Sequence, residues 1–116
     1  MLRESSKRSG SLDSLNLQGA VGPEADSGVP HGGLLTAFAE AAVRRTDALP
    51  GLRERIAAEL GVQELVDAAG VVANFQRMVR IADGCGIPLD EFTRDATDDV
   101  RDELGLHEYA SAANTA

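Results

Sequence analysis

The residue best suited to redox chemistry is a lone thiol. Cys85 is the only cysteine among the 116 residues, so neither an intrachain disulfide nor a multi-cysteine zinc site can form. The residue follows a predicted helix, whose C-terminal dipole disfavours a thiolate, and Asp83 is the nearest charge. We therefore predict a small apolar residue in a turn rather than a reactive thiol, and a two-cysteine peroxidase cycle would need a thiol from a second chain.

The candidate metal ligands show no ordered spacing. His31 lies among Gly and Pro residues and His107 follows the last predicted helix, so both are interpreted as solvated surface histidines. An acidic cluster near the C-terminus lacks the Asp-x-Asp-x-Asp-Gly loop with a distal Glu that a calcium site uses. We interpret it as a solvated helix face, and we predict no metal and no cofactor; its members are Asp95, Asp98, Asp99, Asp102 and Glu103.

Four polar residues on the longest predicted helix are the remaining candidates: Asn74, Arg77, Arg80 and Asp83. Arg80 and Asp83 are three residues apart, a spacing that allows an ion pair on a helix surface. A structural or subunit-interface salt bridge is the favoured interpretation, and a role in a pocket is the alternative. Asn74 and Arg77 are open to the same two interpretations. No catalytic residue is assigned.

Composition excludes two classes of partner. The net charge is -8, and residues 84–116 carry two basic and eight acidic groups. With three Phe, one Tyr and no Trp, the chain lacks the positive charge and the stacking rings that nucleic-acid binding needs. No apolar run approaches the roughly 18 residues of a membrane span. We predict a cytoplasmic protein, and the strong preference for Arg over Lys suggests a bacterial source.

The elements that must position these residues begin after an N-terminal leader. Residues 1–32 are rich in Ser and Gly and show no sustained apolar period, which predicts a disordered leader. Residues 33–116 form the predicted helical domain. Its first helix runs over 33–47 and is ended by Pro50 and Gly51, and a short helix follows from Leu52 to Leu60.

The strongest helix signal covers residues 62–83. Apolar residues spread beyond a single stripe on this segment, which predicts a central helix with neighbours on two sides. Gly70 in its middle predicts a close helix crossing. The segment from Gly84 to Gly86 is expected to break the helix. Beyond it we predict a short turn from Asp90 to Phe92, a helix beginning at Asp95 or Thr97 with Asp98 and Asp99 in its first turn, and an end at Gly105.

These elements predict an all-α fold, a small bundle of about four helices. A domain of about 84 residues buries only roughly 60–65% of its unfolded surface, so its core is marginal. Helical proteins of this size often complete such a core by pairing with a copy of themselves. We therefore expect a homo-oligomer or a partner helical chain.

The stretch from Gly33 to Leu89, about half the chain, resembles the second half of the alkylhydroperoxidase-D-like, carboxymuconolactone-decarboxylase-like superfamily. The shared pattern is an apolar helix, here GLLTAFAEAAVRR, then a short charged helix, then a long helix that ends in RIADGCGIPLD. The residues that carry most of the match are Phe75, Arg80, Ile81, Ala82, Asp83, Gly86, Ile87 and Pro88.

The reactive half of that family is not found in this sequence. Its peroxidase members place a Glu, a Cys-x-x-Cys pair and a His on an earlier helix, and this chain has no Cys-x-x-Cys. The resemblance therefore implies a non-catalytic or degenerate member that keeps the packing half. A divergent enzyme with a site assembled between subunits is one alternative, and an unrelated helical partner-binding module is another.

Overall fold

The computed structural model describes residues 16–20 and 26–115, and every regular element within them is helical. The four α-helices are α1 (Gly32–Arg44), α2 (Leu49–Glu59), α3 (Val62–Cys85) and α4 (Glu91–Glu103). Short 3-10 helices occupy Leu17–Ala20, Leu106–Glu108 and Ala110–Thr115. The prediction of an all-α fold with about four helices is confirmed, and the described ranges contain no strand.

The chain divides into two units, with the boundary between Met78 and Val79 inside α3. The first unit comprises Ser14–Met78, and the described part of the second covers residues 79–115. Because α3 is a single unbroken helix, it contributes residues to both units.

The core of the first unit lies between α1 and α2, which pack against each other. Phe38 and Ala41, three residues apart on one stripe of α1, are buried, and Ile56 of α2 is 0% exposed. Among the described residues these three are the buried hydrophobic side chains. So small a core agrees with the marginal core expected from the chain length.

The junction between α1 and α2 differs from the sequence prediction. α1 ends at Arg44, and the following residue, Arg45, adopts a left-handed conformation with φ 56° while its N–H donates to the Ala41 carbonyl. Pro50 therefore does not end α1 but lies in the first turn of α2. A proline there loses no helical hydrogen bond, because the first N–H groups of a helix have no intrahelical acceptor, and its fixed φ suits a helix start.

Part of the predicted disordered leader carries local structure. The 3-10 helix Leu17–Ala20 contacts α1, and the Asn16 N–H donates to the Ser27 carbonyl at 3.0 Å. Gly19 is buried against Ser27, where a Cβ would lie 2.6 Å from the Ser27 nitrogen. The rest of the prediction, at residues 1–15 and 21–25, lies outside the described residues.

α3 is longer and less buried than expected. It continues through Gly84 and ends at Cys85, and Gly86, with φ 62°, is the residue that stops it. No residue of α3 is buried. A Cβ added at Gly70 would meet no atom within 4 Å. The predictions of a central helix and of a close crossing at Gly70 are therefore wrong for the single chain.

The second unit is built around α4, which is one continuous helix rather than a short turn followed by a helix. Asp90 is its N-cap and accepts from the Thr93 N–H at 2.9 Å. Asp98 and Asp99 consequently lie beyond the first turn, so the predicted dipole stabilisation does not apply to them. Gly105, in a left-handed conformation with φ 63°, follows the C-cap, as predicted for the end of this helix.

Candidate functional site

The four polar candidates lie along α3, and all four side chains are exposed. Arg77 Nη2 donates to Asn74 Oδ1 at 2.9 Å, and Asn74 Nδ2 lies 3.8 Å from Met78 Sδ. Arg80 and Asp83 do not form the ion pair that their spacing allows within the part of the chain that the structure describes. The structure therefore brings Asn74 and Arg77 together and leaves Arg80 and Asp83 apart.

Cys85 is the last residue of α3 and is exposed. It was expected in a turn, but the helix extends to include it. Its thiol is therefore accessible to solvent at the C-terminal end of α3.

The histidines and the acidic cluster are on the surface. His107 Nε2 lies 2.9 Å from Asp102 Oδ1, and His31 is exposed next to the first residue of α1. The five acidic residues of the cluster are exposed, which confirms the predicted solvated face. In residues 16–20 and 26–115, no three His, Cys, Asp or Glu side chains are placed to hold a metal ion. None of the helices described there has the length and apolarity that a membrane span requires.

The feature that stands out is an uncovered apolar surface on α3. Val71, Phe75, Met78 and Val79 are 57%, 59%, 50% and 49% exposed. Their spacing of four, three and one residues places them on one side of a helix with 3.6 residues per turn. We call this surface the Phe75 face.

Smaller residues border the Phe75 face and carry no charge. Ala68 and Ala82 lie one turn beyond its two ends, Val72 lies along one edge, and all three are half-buried. The charged residues within this span, Arg77 and Arg80, project from the other side of the helix, as the 3.6-residue period requires. Two exposed carboxylates, Asp67 and Asp83, lie eight residues before and after Phe75 and therefore at the two edges of the face.

Sequence reasoning recognised that α3 is apolar around more than one stripe, but it assigned that surface to an intramolecular core. The helix period alone cannot distinguish a helix covered by its own chain from one left open, because both need the same apolar residues. The distinguishing observation is burial. Phe75, the largest side chain on α3, remains more than half exposed.

Taken together, the most extensive feature of the described residues is the exposed apolar surface of α3. The polar candidates make contacts only along their own helix, and α3 exposes apolar side chains both on the Phe75 face and elsewhere, at Val62, Val66 and Ile81. Comparisons of the chain with family models, with curated proteins and with solved structures give no match.

Proposed function

We propose that this protein is a non-catalytic helical association domain that binds a second copy of itself through α3. The observation that carries the proposal is that a helix of 24 residues has no buried residue. Four apolar side chains on one side of it are 49–59% exposed: Val71, Phe75, Met78 and Val79. Exposed apolar surface has a free-energy cost in water, and a partner helix removes that cost.

The small core of the single chain supports the same proposal. In the described part of the first unit, only Phe38, Ala41 and Ile56 are buried hydrophobic residues. Burial of apolar surface is the main term that offsets the conformational entropy lost on folding. A second copy would add buried surface where the first unit has little of its own.

The family resemblance is consistent with this role. RIADGCGIPLD covers the last turns of α3 and the loop after it, and the same pattern follows the packing helix of alkylhydroperoxidase-like proteins. We propose that the chain is a degenerate member of that superfamily, since it lacks the Cys-x-x-Cys pair that the peroxidase members use. Its single exposed cysteine suits a reducing, cytoplasmic setting.

The proposal is tested on the full chain by light scattering coupled to size-exclusion chromatography, with circular dichroism on the same sample. We expect a helical assembly with a mass above the 12.2 kDa of one chain. A helical monomer over the whole concentration range would refute self-association. A complex that forms only with another protein would also refute it, because the occupant of the α3 surface would then be a different chain.

The absence of catalysis needs its own assay. The assembled protein is incubated with an organic hydroperoxide and a thiol reductant, and peroxide consumption is compared with that of the Cys85→Ala variant. We expect both samples to match the reaction without protein. Turnover that the wild type shows and Cys85→Ala lacks would contradict the non-catalytic assignment.

A further inference from the structure

We infer that Met78 is a site of reversible oxidation by hydroperoxides, and that Asn74, oriented by Arg77, decides which of the two sulfoxide epimers forms. The substrate class is a small peroxide, either hydrogen peroxide or an organic hydroperoxide. The inference goes beyond the proposed association, because it concerns the chemistry of one side chain in a single copy. It follows from the exposure of Met78, from the amide beside its sulfur, and from the guanidinium that holds that amide.

Met78 presents a thioether to solvent. It is the only methionine among the residues that the structure describes, and it is 50% exposed on α3. A thioether has no proton to lose, so its sulfur is a nucleophile at any ordinary pH, whereas a thiol reacts as its thiolate. A peroxide can therefore reach and oxidise Met78 without a neighbouring base.

One side of the sulfur of Met78 is occupied by an amide. Asn74 Nδ2 donates to Met78 Sδ at 3.8 Å, from one helical turn away. A thioether sulfur is a weak acceptor with two lone pairs, and the bond from Asn74 uses one of them and leaves the other open. The sulfur of a methionine sulfoxide is chiral, so oxidation at one lone pair or at the other gives opposite epimers. The bond from Asn74 therefore makes the two epimers unequal.

Arg77 fixes the direction of the Asn74 amide. Arg77 Nη2 donates to Asn74 Oδ1 at 2.9 Å, so the amide oxygen faces the guanidinium and the amide nitrogen faces Met78. The reverse orientation would place the amide nitrogen against a guanidinium, which has no acceptor. A bond from a charged donor also polarises the amide and strengthens its N–H groups as donors. Asn74 and Arg77 are therefore positioning residues for the sulfur of Met78.

The reaction transfers one oxygen atom to the sulfur. The open lone pair of Met78 Sδ attacks one oxygen of the peroxide, an S–O bond forms, and the O–O bond breaks. The sulfur is oxidised to a sulfoxide, and the peroxide is reduced to water or an alcohol, whose leaving oxygen takes the proton of the transferred oxygen. Each epimer is reduced back to the thioether by its own class of sulfoxide reductase. Without such a reductase each Met78 consumes one peroxide, which is not turnover.

The fold can accept the oxidised side chain. No residue of α3 is buried, so a sulfoxide oxygen at Met78 displaces no core side chain. Met78 belongs to the Phe75 face, and a sulfoxide is more polar than a thioether. Oxidation therefore makes the Phe75 face more polar while α3 stays helical.

The experiment treats the full chain with hydrogen peroxide, at a protein concentration low enough that light scattering shows a monomer. Site-resolved mass spectrometry measures the rate of sulfoxide formation at Met78, and treatment with the two epimer-specific reductases gives the epimer ratio. We expect a rate within about tenfold of that of N-acetylmethionine amide, and an excess of one epimer of about threefold, the factor that a weak hydrogen bond supplies.

A slower rate, or an epimer ratio equal to that of N-acetylmethionine amide, would overturn the inference. Because the measurement is made on the monomer, its outcome does not depend on self-association. A chain that is monomeric at every concentration refutes the proposed association and leaves the oxidation of Met78 to be decided by these two readouts.

Variants of the positioning residues test the origin of the epimer excess. Asn74→Leu keeps the approximate shape of the side chain without the donor, and we expect its epimer ratio to fall to that of N-acetylmethionine amide. Arg77→Ala should lower the excess, and Arg77→Lys, which retains a cationic donor, should restore most of it.

Gln63→Leu is the matched control, because it removes an amide from the same helix at a distance from the sulfur. Gln63 Nε2 donates to Asp67 Oδ1 at 3.1 Å, so this side chain also takes part in a contact along α3. We expect Gln63→Leu to keep the epimer ratio of the wild type. An equal loss in Gln63→Leu, or an unchanged ratio in Asn74→Leu with helicity intact, would contradict the role of Asn74.

Discussion

The Asp90 carboxylate accepts two hydrogen bonds from one residue, Thr93. The Thr93 N–H donates to Oδ1 at 2.9 Å, and the Thr93 hydroxyl donates to Oδ2 at 2.7 Å. This cap starts α4 at Glu91, four residues or more before the start predicted from the sequence. The start of α4 therefore depends on a short-range side-chain contact.

We expect Asp90→Ala to reduce the helicity of α4, because the Thr93 N–H would lose its acceptor at the helix start. Circular dichroism at 222 nm should show a smaller helical signal and a lower melting temperature than in the wild type. Asp95→Ala is the control, since it removes an exposed carboxylate from the same helix away from the cap. If Asp95→Ala had the same effect, general charge removal rather than capping would be responsible.

The same cap should depend on pH. The hydrogen bond from the Thr93 hydroxyl, followed by that from the Thr93 N–H, holds the pKa of Asp90 below its ordinary value of 3.8. A carboxyl with a lowered folded-state pKa stabilises the fold above its unfolded pKa, and this stabilisation is lost as the pH falls through the folded-state value. The difference in melting temperature between wild type and Asp90→Asn should therefore shrink below pH 3.8. A difference that is constant with pH would contradict this.

Ile56→Ala should destabilise the first unit by about 2–5 kcal/mol, the usual cost of removing a fully buried isoleucine side chain. Urea unfolding followed by circular dichroism measures the change in the free energy of unfolding. Ile87→Ala is the matched control, because Ile87 is 56% exposed and the substitution should cost less than about 0.5 kcal/mol. Similar losses for the two variants would mean that the α1–α2 contact is not the core.

Gly70→Ala should stabilise the protein by about 0.5–1 kcal/mol. A methyl group at this position meets no atom within 4 Å in the chain, and alanine loses less conformational entropy than glycine in a helix. Gly70 also lies off the Phe75 face, so dimerisation should not turn this gain in stability into a loss. A destabilised or dissociated Gly70→Ala variant would show that a partner helix crosses at Gly70.

Gly86→Ala should have the opposite effect on stability to Gly70→Ala. Gly86 also has open space around it, but its φ of 62° lies in the left-handed region that alanine disfavours. We expect this variant to lose roughly 1–2 kcal/mol in the free energy of unfolding, measured in the same urea titration. A stabilising effect of Gly70→Ala together with a destabilising effect of Gly86→Ala would confirm that α3 ends at Cys85 rather than at Asp83.

Pro50→Ala should lower stability by about 0.4–1 kcal/mol, because proline in the first turn of α2 restricts the unfolded chain without loss of a helical hydrogen bond. Glu54→Pro, in the interior of the same helix, should cost about 3 kcal/mol. Thermal unfolding of both variants measures how much stability each of them loses. A neutral effect of Glu54→Pro would be incompatible with an α2 that spans Leu49–Glu59.

The helical fold could be predicted because apolar residues at three- and four-residue spacing are a local signal. The helix boundaries could not be predicted where a residue suits two different positions relative to a helix. Pro50 fits both the end of one helix and the first turn of the next, and the choice depended on the left-handed Arg45 that ends α1 earlier. Asp90 fits both a short turn and a helix cap, and the contacts with Thr93 decided between them.

The contacts of the candidate site residues could likewise be predicted only in part from the sequence. Asn74 and Arg77 could be named from sequence because their spacing allows contact on a helix, and they do form a hydrogen bond. Arg80 and Asp83 have equally suitable spacing but do not pair. Exposed side chains at this spacing gain little from an ion pair in water, so spacing permits the contact without requiring it.

The sequence by itself determined the all-α class, the four helices, the single thiol and the apolar character of α3, since each depends on residue type or on local period. Only the tertiary structure decided which apolar residues form the core. It buries Phe38 and Ile56 and leaves Phe75 exposed, although all three lie on apolar stripes of helices. Burial depends on whether another element covers a surface, and that is a property of the packed helices rather than of the period of any one of them.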